Sequence, residues 1–252
     1  MAPVRPDRRS RAGTAGGLSE LARRVAECRA CPRLVEWREA VATDPPRAFA
    51  GESYWARPLP GFGDPLARLV VVGLAPAAHG GNRTGRMFTG DRSGDFLVAA
   101  LHRHGFANQP TSVAPDDGLE LTDAYLTAPV RCAPPGNRPL PAERDRCRPY
   151  LEEELALLGS AQVYLALGAF ALDALARVAA LRGRWKGGFS HGAEYELSPP
   201  TAPGAPGRFV LCTYHPSQRN VFTGLLTAEM FSNVLARARE LVDGAGSDRR
   251  LS

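Results

Sequence analysis

The chain has 252 residues, 44% of them hydrophobic, and a formal net charge of +5, enough to bury a sizeable core in one α/β domain or two small ones. No apolar run approaches the ~20 residues of a membrane span. The opening MAPVRPDRRSRAGTAGG also lacks the apolar stretch of a secretory leader. The expectation is therefore a soluble cytoplasmic protein with no membrane partner.

The basic excess points to an acidic partner such as nucleic acid. It counts only modestly, because Lys186 is the sole lysine, isoleucine is absent, and Ala, Gly and Pro abound, which marks a composition bias.

Residues 1–17, small, polar and Arg-rich, read as a basic disordered tail. A single domain is expected over 18–243, with a flexible tail over 244–252. LSELARRVAECRACPRLVEWREAVA has Leu18, Leu21, Val25, Leu34 and Trp37 at helical spacing, broken near Pro32. After the proline-punctuated ESYWARPLPGFGDPLA come strand RLVVVGL and helix SGDFLVAALHRHG, capped by Ser93 or Asp91. Strand AYLTAPVRC precedes helix PAERDRCRPYLEEELALLG, and strand QVYLALG precedes helix AFALDALARVAALRG. A loop with PPTAPGAPG leads to strand RFVLCTYH and a closing helix, TAEMFSNVLARARELV. Four apolar strands separated by helices predict a three-layer α/β/α fold around a central four-stranded parallel sheet. Ligands bind such sheets at the carboxyl ends of the strands. The loops leaving those ends are Gly73–Asp91, Ala128–Pro141 and His215–Gly224.

Of the five cysteines, Cys212 lies within the last strand and reads as an apolar filler. Cys28 and Cys31 form CRAC, with Cys132 and Cys147 far along the chain. Four thiols with one CxxC fit a structural zinc or an iron–sulfur cluster, and the spacing matches neither a zinc finger nor the bacterial ferredoxin run. Either metal would staple the first helix to the second strand and its following helix.

GLAPAAHGGNRTGRMFTGD is neither a dinucleotide fingerprint nor a P-loop. Its glycines permit backbone groups to line a narrow pocket. Asp91 at its end fits a helix cap as well as a functional acid, and Asn137, between proline turns, fits a turn residue as well as a presented amide. His215 ends a strand before Pro216, which fixes the direction of its ring.

Together the first loop, VRCAPPGNRP, HPSQRN and the four cysteines resemble the family 5 (type B) uracil-DNA glycosylases, over about Leu18 to Val242. The resemblance implies the uracil-DNA glycosylase fold and a [4Fe–4S] cluster on Cys28, Cys31, Cys132 and Cys147. It also implies a monofunctional hydrolase of base excision repair that removes uracil, and other deaminated bases such as hypoxanthine, from DNA. The acid or amide that other uracil-DNA glycosylases carry just before the loop proline is missing, since Leu74 and Ala75 precede Pro76 and Ala77 follows. By resemblance its role passes to Asp91, which would place water, with His215 donating to the leaving base and Asn137 assisting. Gly73, Ala75, Ala77, His79, Gly80, Phe88 and Asn220 would form the base pocket. Arg83, Arg86, Arg138, Gln218 and Arg219 fall on the same sheet edge and would contact DNA. The expected partners are double- and single-stranded DNA containing uracil, bound by a monomer associated with the nucleoid. Two rivals remain at this point: a noncatalytic iron–sulfur DNA-binding protein, and an unrelated α/β hydrolase using Asp91 and His215.

Overall fold

The computed structural model describes residues 8–181, 185–198 and 207–244. Strands β1 (Phe62–Gly63), β2 (Leu69–Val72), β3 (Ala124–Thr127), β4 (Val163–Leu167), β5 (Glu194–Ser198) and β6 (Arg208–Thr213) form one sheet in the order β1-β3-β2-β4-β6-β5. The four expected strands are its parallel centre, β3-β2-β4-β6. Two edge strands that the apolar pattern did not show, β1 and β5, pair antiparallel with β3 and β6. One is two residues long. The other, EYELS, alternates polar with apolar, as an edge with one wet face does.

Strand residues alternate between two cores. Leu69, Val71, Leu126, Leu165 and Leu211 face helices α4 (Arg92–Arg103) and α8 (Ala228–Val242), meeting Leu97, Leu101, Phe231 and Leu235. Val70, Val72, Tyr164, Ala166, Val210 and Cys212 face α5 (Pro141–Leu157) and α6 (Ala169–Arg177), meeting Leu151, Leu155, Leu172 and Leu175. Cys212 is the expected filler, fully buried. Each such side chain contributes ~1.5–3 kcal/mol by leaving water. The two cores cover both faces of the sheet and leave its carboxyl edge to the loops.

The first helix divides as Pro32 predicts, into α1 (Arg8–Ala26) and α2 (Pro32–Thr43). It also starts earlier than expected: residues 8–17, read as tail, are helical. Ala and Arg are good helix formers, and α1 packs along α5, where Gly17 lies against Leu157. Residues 1–7, the core of PPTAPGAPG (199–206) and 245–252 lie outside the described residues. No helix of the described residues is long and apolar enough to cross a membrane.

Candidate active site and cysteine cavity

β2 delivers the chain into the first loop at Gly73, whose N–H donates to the Thr127 carbonyl at 2.8 Å. A Cβ on Gly73 would stand 2.7 Å from the Phe88 ring, and one on Gly80 only 1.9 Å from Asp91 Oδ2. These two glycines are small because residues of their own loop fold back against them. Phe88 itself adopts φ +52°, where a bulky side chain is strained, and strain of this kind clusters at working sites.

Asp91 caps α4: Oδ1 accepts from the Ser93 and Gly94 amides at 2.9 and 3.0 Å. Among the described residues no group donates to Oδ2. Burial pushes the carboxyl above its ordinary pKa, and the two amides pull it back. The capping reading and the functional reading of Asp91 are thus served by different oxygens.

His215 follows the end of β6, and its ring stacks at 6.4 Å from that of Phe88. Burial depresses its pKa to about 4, so at neutral pH it is an uncharged N–H donor. Asn220 donates through Nδ2 to the His215 carbonyl at 2.9 Å, and its own carbonyl accepts from Leu226. Asn220 therefore braces the turn. Ser217 caps the short helix α7 (Gln218–Phe222) by accepting from the Asn220 amide.

The other expected residues fall in three groups. Ala77 accepts the Gly80 and Asn82 amides, and Ala75 packs toward Leu34, Val130 and Cys132. The His79 ring stacks on Phe49 and its Nδ1 pairs with the Tyr54 hydroxyl at 2.9 Å. Asn137 is exposed at φ +56°, the second of two left-handed residues after Gly136, and makes no hydrogen bond to Asp91 or His215. The consecutive left-handed residues turn the loop tip outward.

Of the five residues assigned to DNA, Arg138, Gln218 and Arg219 are exposed. Two are not available as expected. Arg86 is buried and bonded to both oxygens of Asp117 at 2.9 Å, with Thr89, Ser112 and the Pro115 carbonyl completing its shell. Arg83 is spent on Glu52 and on the His79 and Gly90 carbonyls. Both arginines fasten the loop, and loop position alone could not reveal it. Conversely, Arg92 stands exposed directly after Asp91, with no ion pair among the described residues, and was not singled out.

Cys28, Cys31, Cys132 and Cys147 line one cavity of about 240 Å³ between α2, the loop after β3, and α5. Among the described residues no three metal-binding side chains converge tightly enough for one ion; the thiols ring a space instead. Donors point at the sulfurs: Arg38 Nη1 reaches Cys132 Sγ at 2.9 Å, the Arg131 amide bonds Cys147, and the Tyr150 hydroxyl bonds Cys28. Arg38 is only 2% exposed, its Nε lacks a partner, and the one carboxylate within reach, Glu39, stands at 3.9 Å. Beside it Arg131 and Glu154, each 1% exposed, form a two-toothed ion pair that Tyr125, Thr127 and the Gly61 amide complete.

A model of the uracil DNA glycosylase superfamily matches residues 60–239, the span from β1 through most of α8. The chain belongs to that superfamily. Type-5 uracil-DNA glycosylases are similar over most of its length. The Thermus thermophilus protein is 54% identical over 214 residues, 85% of this chain and 93% of the relative. That of Mycobacterium tuberculosis is 52% identical over 231 residues, 91% of this chain and 84% of the relative. That of Pyrobaculum aerophilum is 45% identical over 223 residues, 88% of this chain and 92% of the relative. Type-4 uracil-DNA glycosylases match less of it, the Pyrobaculum aerophilum protein at 32% over 123 residues, 48% of this chain and 55% of the relative. Membership sets aside the reading of the chain as an unrelated α/β hydrolase.

Proposed function

We propose that this chain is a uracil-DNA glycosylase that cleaves the N-glycosidic bond of uracil in double- and single-stranded DNA and leaves an abasic site. The observation that carries the reading is a half-buried acid, Asp91, held by two amides with one oxygen left over, in the same loop as Phe88, on whose ring the uncharged, half-buried imidazole of His215 stacks. A base in a duplex is reached only by extrusion, at a cost of a few kcal/mol that is least for a mispaired base. Phe88 then stacks on the base, and backbone groups of Gly73, Ala75, Ala77 and Gly80 meet its edge. His79, fixed by Phe49 and Tyr54, closes that side.

Asp91 Oδ2 orients the water whose oxygen bonds C1′ as the C1′–N bond breaks, takes up the proton that water releases, and until then offsets the cation-like sugar by its charge. The bonding pair leaves with the base, and the His215 N–H donates to the uracil O2 that gains charge. A hydrogen bond to such a group is worth ~1.5–3 kcal/mol. Because the imidazole is neutral, it donates without competing as a cation for the Asp91 charge. Asn137 joins the site from the outward loop tip when DNA is bound, and Arg138, Arg219 and Gln218 meet the backbone or the gap. An apolar loop with few polar groups to reject a wrong edge also admits hypoxanthine.

The thiols fit a [4Fe–4S] cluster better than a single ion. They surround a cavity, and Arg38 is a buried cation for which the chain provides no buried anion. When bound, the cluster supplies iron–thiolate bonds that tie α2 to the loop after β3 and to α5, and its negative thiolates answer the Arg38 charge. We place the protein in the cytoplasm as a monomer.

The test is incubation with a uracil-containing duplex, followed by alkaline cleavage at abasic sites. Wild type should cleave, and Asp91→Ala should lose about 10²–10⁴-fold in rate while binding the duplex as before. Wild-type protein that binds DNA and forms no abasic site would establish the noncatalytic reading instead.

A further inference from the structure

Five large apolar side chains are exposed among the described residues: Trp55, Val113, Leu140, Phe222 and Leu225. Single exposed apolar residues are ordinary, so what matters is the segment each of these stands on. Leu140 lies in the loop of Asn137, and Phe222 and Leu225 end the segment that begins at His215. Trp55 packs on Gly85 and the Val113 backbone on Gly90, both in the loop of Asp91. Among the described residues the exposed apolar side chains thus fall on the Asn137 and His215 loops, or on segments that pack against the Asp91 loop.

Val113 is 62% exposed, and its segment is the most firmly fastened of these. Asp117 Oδ2 accepts from the Val113 and Ala114 amides at 2.7 and 3.2 Å, and Oδ1 from Leu119 at 3.0 Å. Arg86 closes the same carboxylate from the other side. The Ser112 hydroxyl pairs with Thr89 at 2.8 Å, and the Ser112 carbonyl accepts the Gly90 amide at 2.8 Å. A Cβ at Gly90, itself at φ +75°, would meet the Val113 carbonyl at 3.3 Å. Residues 107–121, closed by the Ala107–Leu121 bridge, are thus latched to the two residues that precede Asp91. Nothing in the core requires a valine to be held rigid in water. A duplex from which one nucleotide has been extruded does offer it a partner, because an apolar side chain that packs against unstacked bases offsets part of the cost of opening them.

We propose that Val113 is a duplex-reading residue: the tip of loop 107–121 packs against the base stack on the Asp91 flank of the extruded nucleotide. The inference rests on the glycosylase reading, and binding tests it apart from catalysis. The probe is a duplex with a tetrahydrofuran abasic analogue beside 2-aminopurine, compared with its single strand. Val113→Ala should weaken duplex binding about tenfold, lower the 2-aminopurine signal and change single-strand binding less than twofold, with Val113→Leu restoring the duplex affinity. Equal losses on both probes, or an unchanged duplex affinity, overturn the proposal. Wild type that shows this binding pattern yet forms no abasic site overturns the glycosylase reading and leaves the Val113 contact standing.

Discussion

Around Asp91 the close approaches are made by glycines, and buried charges such as Arg86 meet a carboxylate within the chain. Around the cysteines, Arg38 is equally buried, hydrogen-bonds only thiol and carbonyl groups, and has its nearest carboxylate, the half-exposed Glu39, at 3.9 Å. The first region is complete as polypeptide. The second has a charge whose only carboxylate neighbour among the described residues is the half-exposed Glu39, and a cluster on the four cysteines, as proposed, would answer it. Arg131 and Glu154 sit at the seam: their pair backs Cys132, while its partner Thr127 accepts the Gly73 amide through its carbonyl.

The largest test of that contrast is Glu154→Ala. It strands the Arg131 charge in the interior, and urea denaturation should show a loss of about 3–5 kcal/mol whether or not metal is present. A loss below about 1 kcal/mol would mean that the seam is not the matched pair described.

Next in size is the pH response of His215. The unfolded imidazole takes up a proton near its ordinary 6.5, whereas the folded one waits until about pH 4. Stability is therefore fully present above 6.5 and is lost as pH falls toward 4. Over that window His215→Gln should lose up to about 3 kcal/mol less than wild type. Parallel curves would show that the imidazole is already hydrated.

Gly80→Ala sharpens the glycine side of the contrast. Its Cβ takes the space of Asp91 Oδ2, and displacing a reacting group by about an ångström costs about 10²-fold in rate. The melting temperature should fall as well, because the same Cβ stands 2.7 and 2.9 Å from Asp91 Cγ and Cβ and displaces the whole capping carboxyl. A variant as active as wild type would place the working oxygen elsewhere.

How much of this was legible in sequence follows from range. The four central strands and the flanking helices announced themselves as apolar runs and spacings, and the break at Pro32 was local. The early start of α1 was hidden, because docking on α5 fixes a segment whose composition alone reads as tail. Only the structure shows that, in the first loop, Gly73 and Gly80 leave room for Phe88 and Asp91. Arg83 and Arg86 looked like phosphate contacts because their partners, Glu52 and Asp117, are 31 residues away in each case. Glu154 was one of three acids in EEE on a helix, with no local sign that it alone faces inward. Val113 carried no motif at all; only its exposure and its latch, both three-dimensional, single it out.

The smallest effect bears most directly on the cysteine cavity, because its sign should reverse. Arg38→Met keeps the length and apolar stem of the side chain and removes the charge. In the metal-loaded protein the guanidinium would face negative thiolates, so losing it should destabilise by about 1.5 kcal/mol, the lower end for hydrogen bonds to charged groups. In protein stripped by an iron chelator under reducing conditions, burial holds the Cys132 and Cys147 thiols neutral, with pKa values pushed up to about 12 and about 11. Arg38 is then a buried cation answered only by the half-exposed Glu39 at 3.9 Å, and replacing it with an apolar group should stabilise by about 1 kcal/mol or more. Paired thermal melts of wild type and variant, with and without metal, read both signs. If Arg38→Met shifts the two melts in the same direction, the cavity does not owe its charge balance to a group carried by the four cysteines.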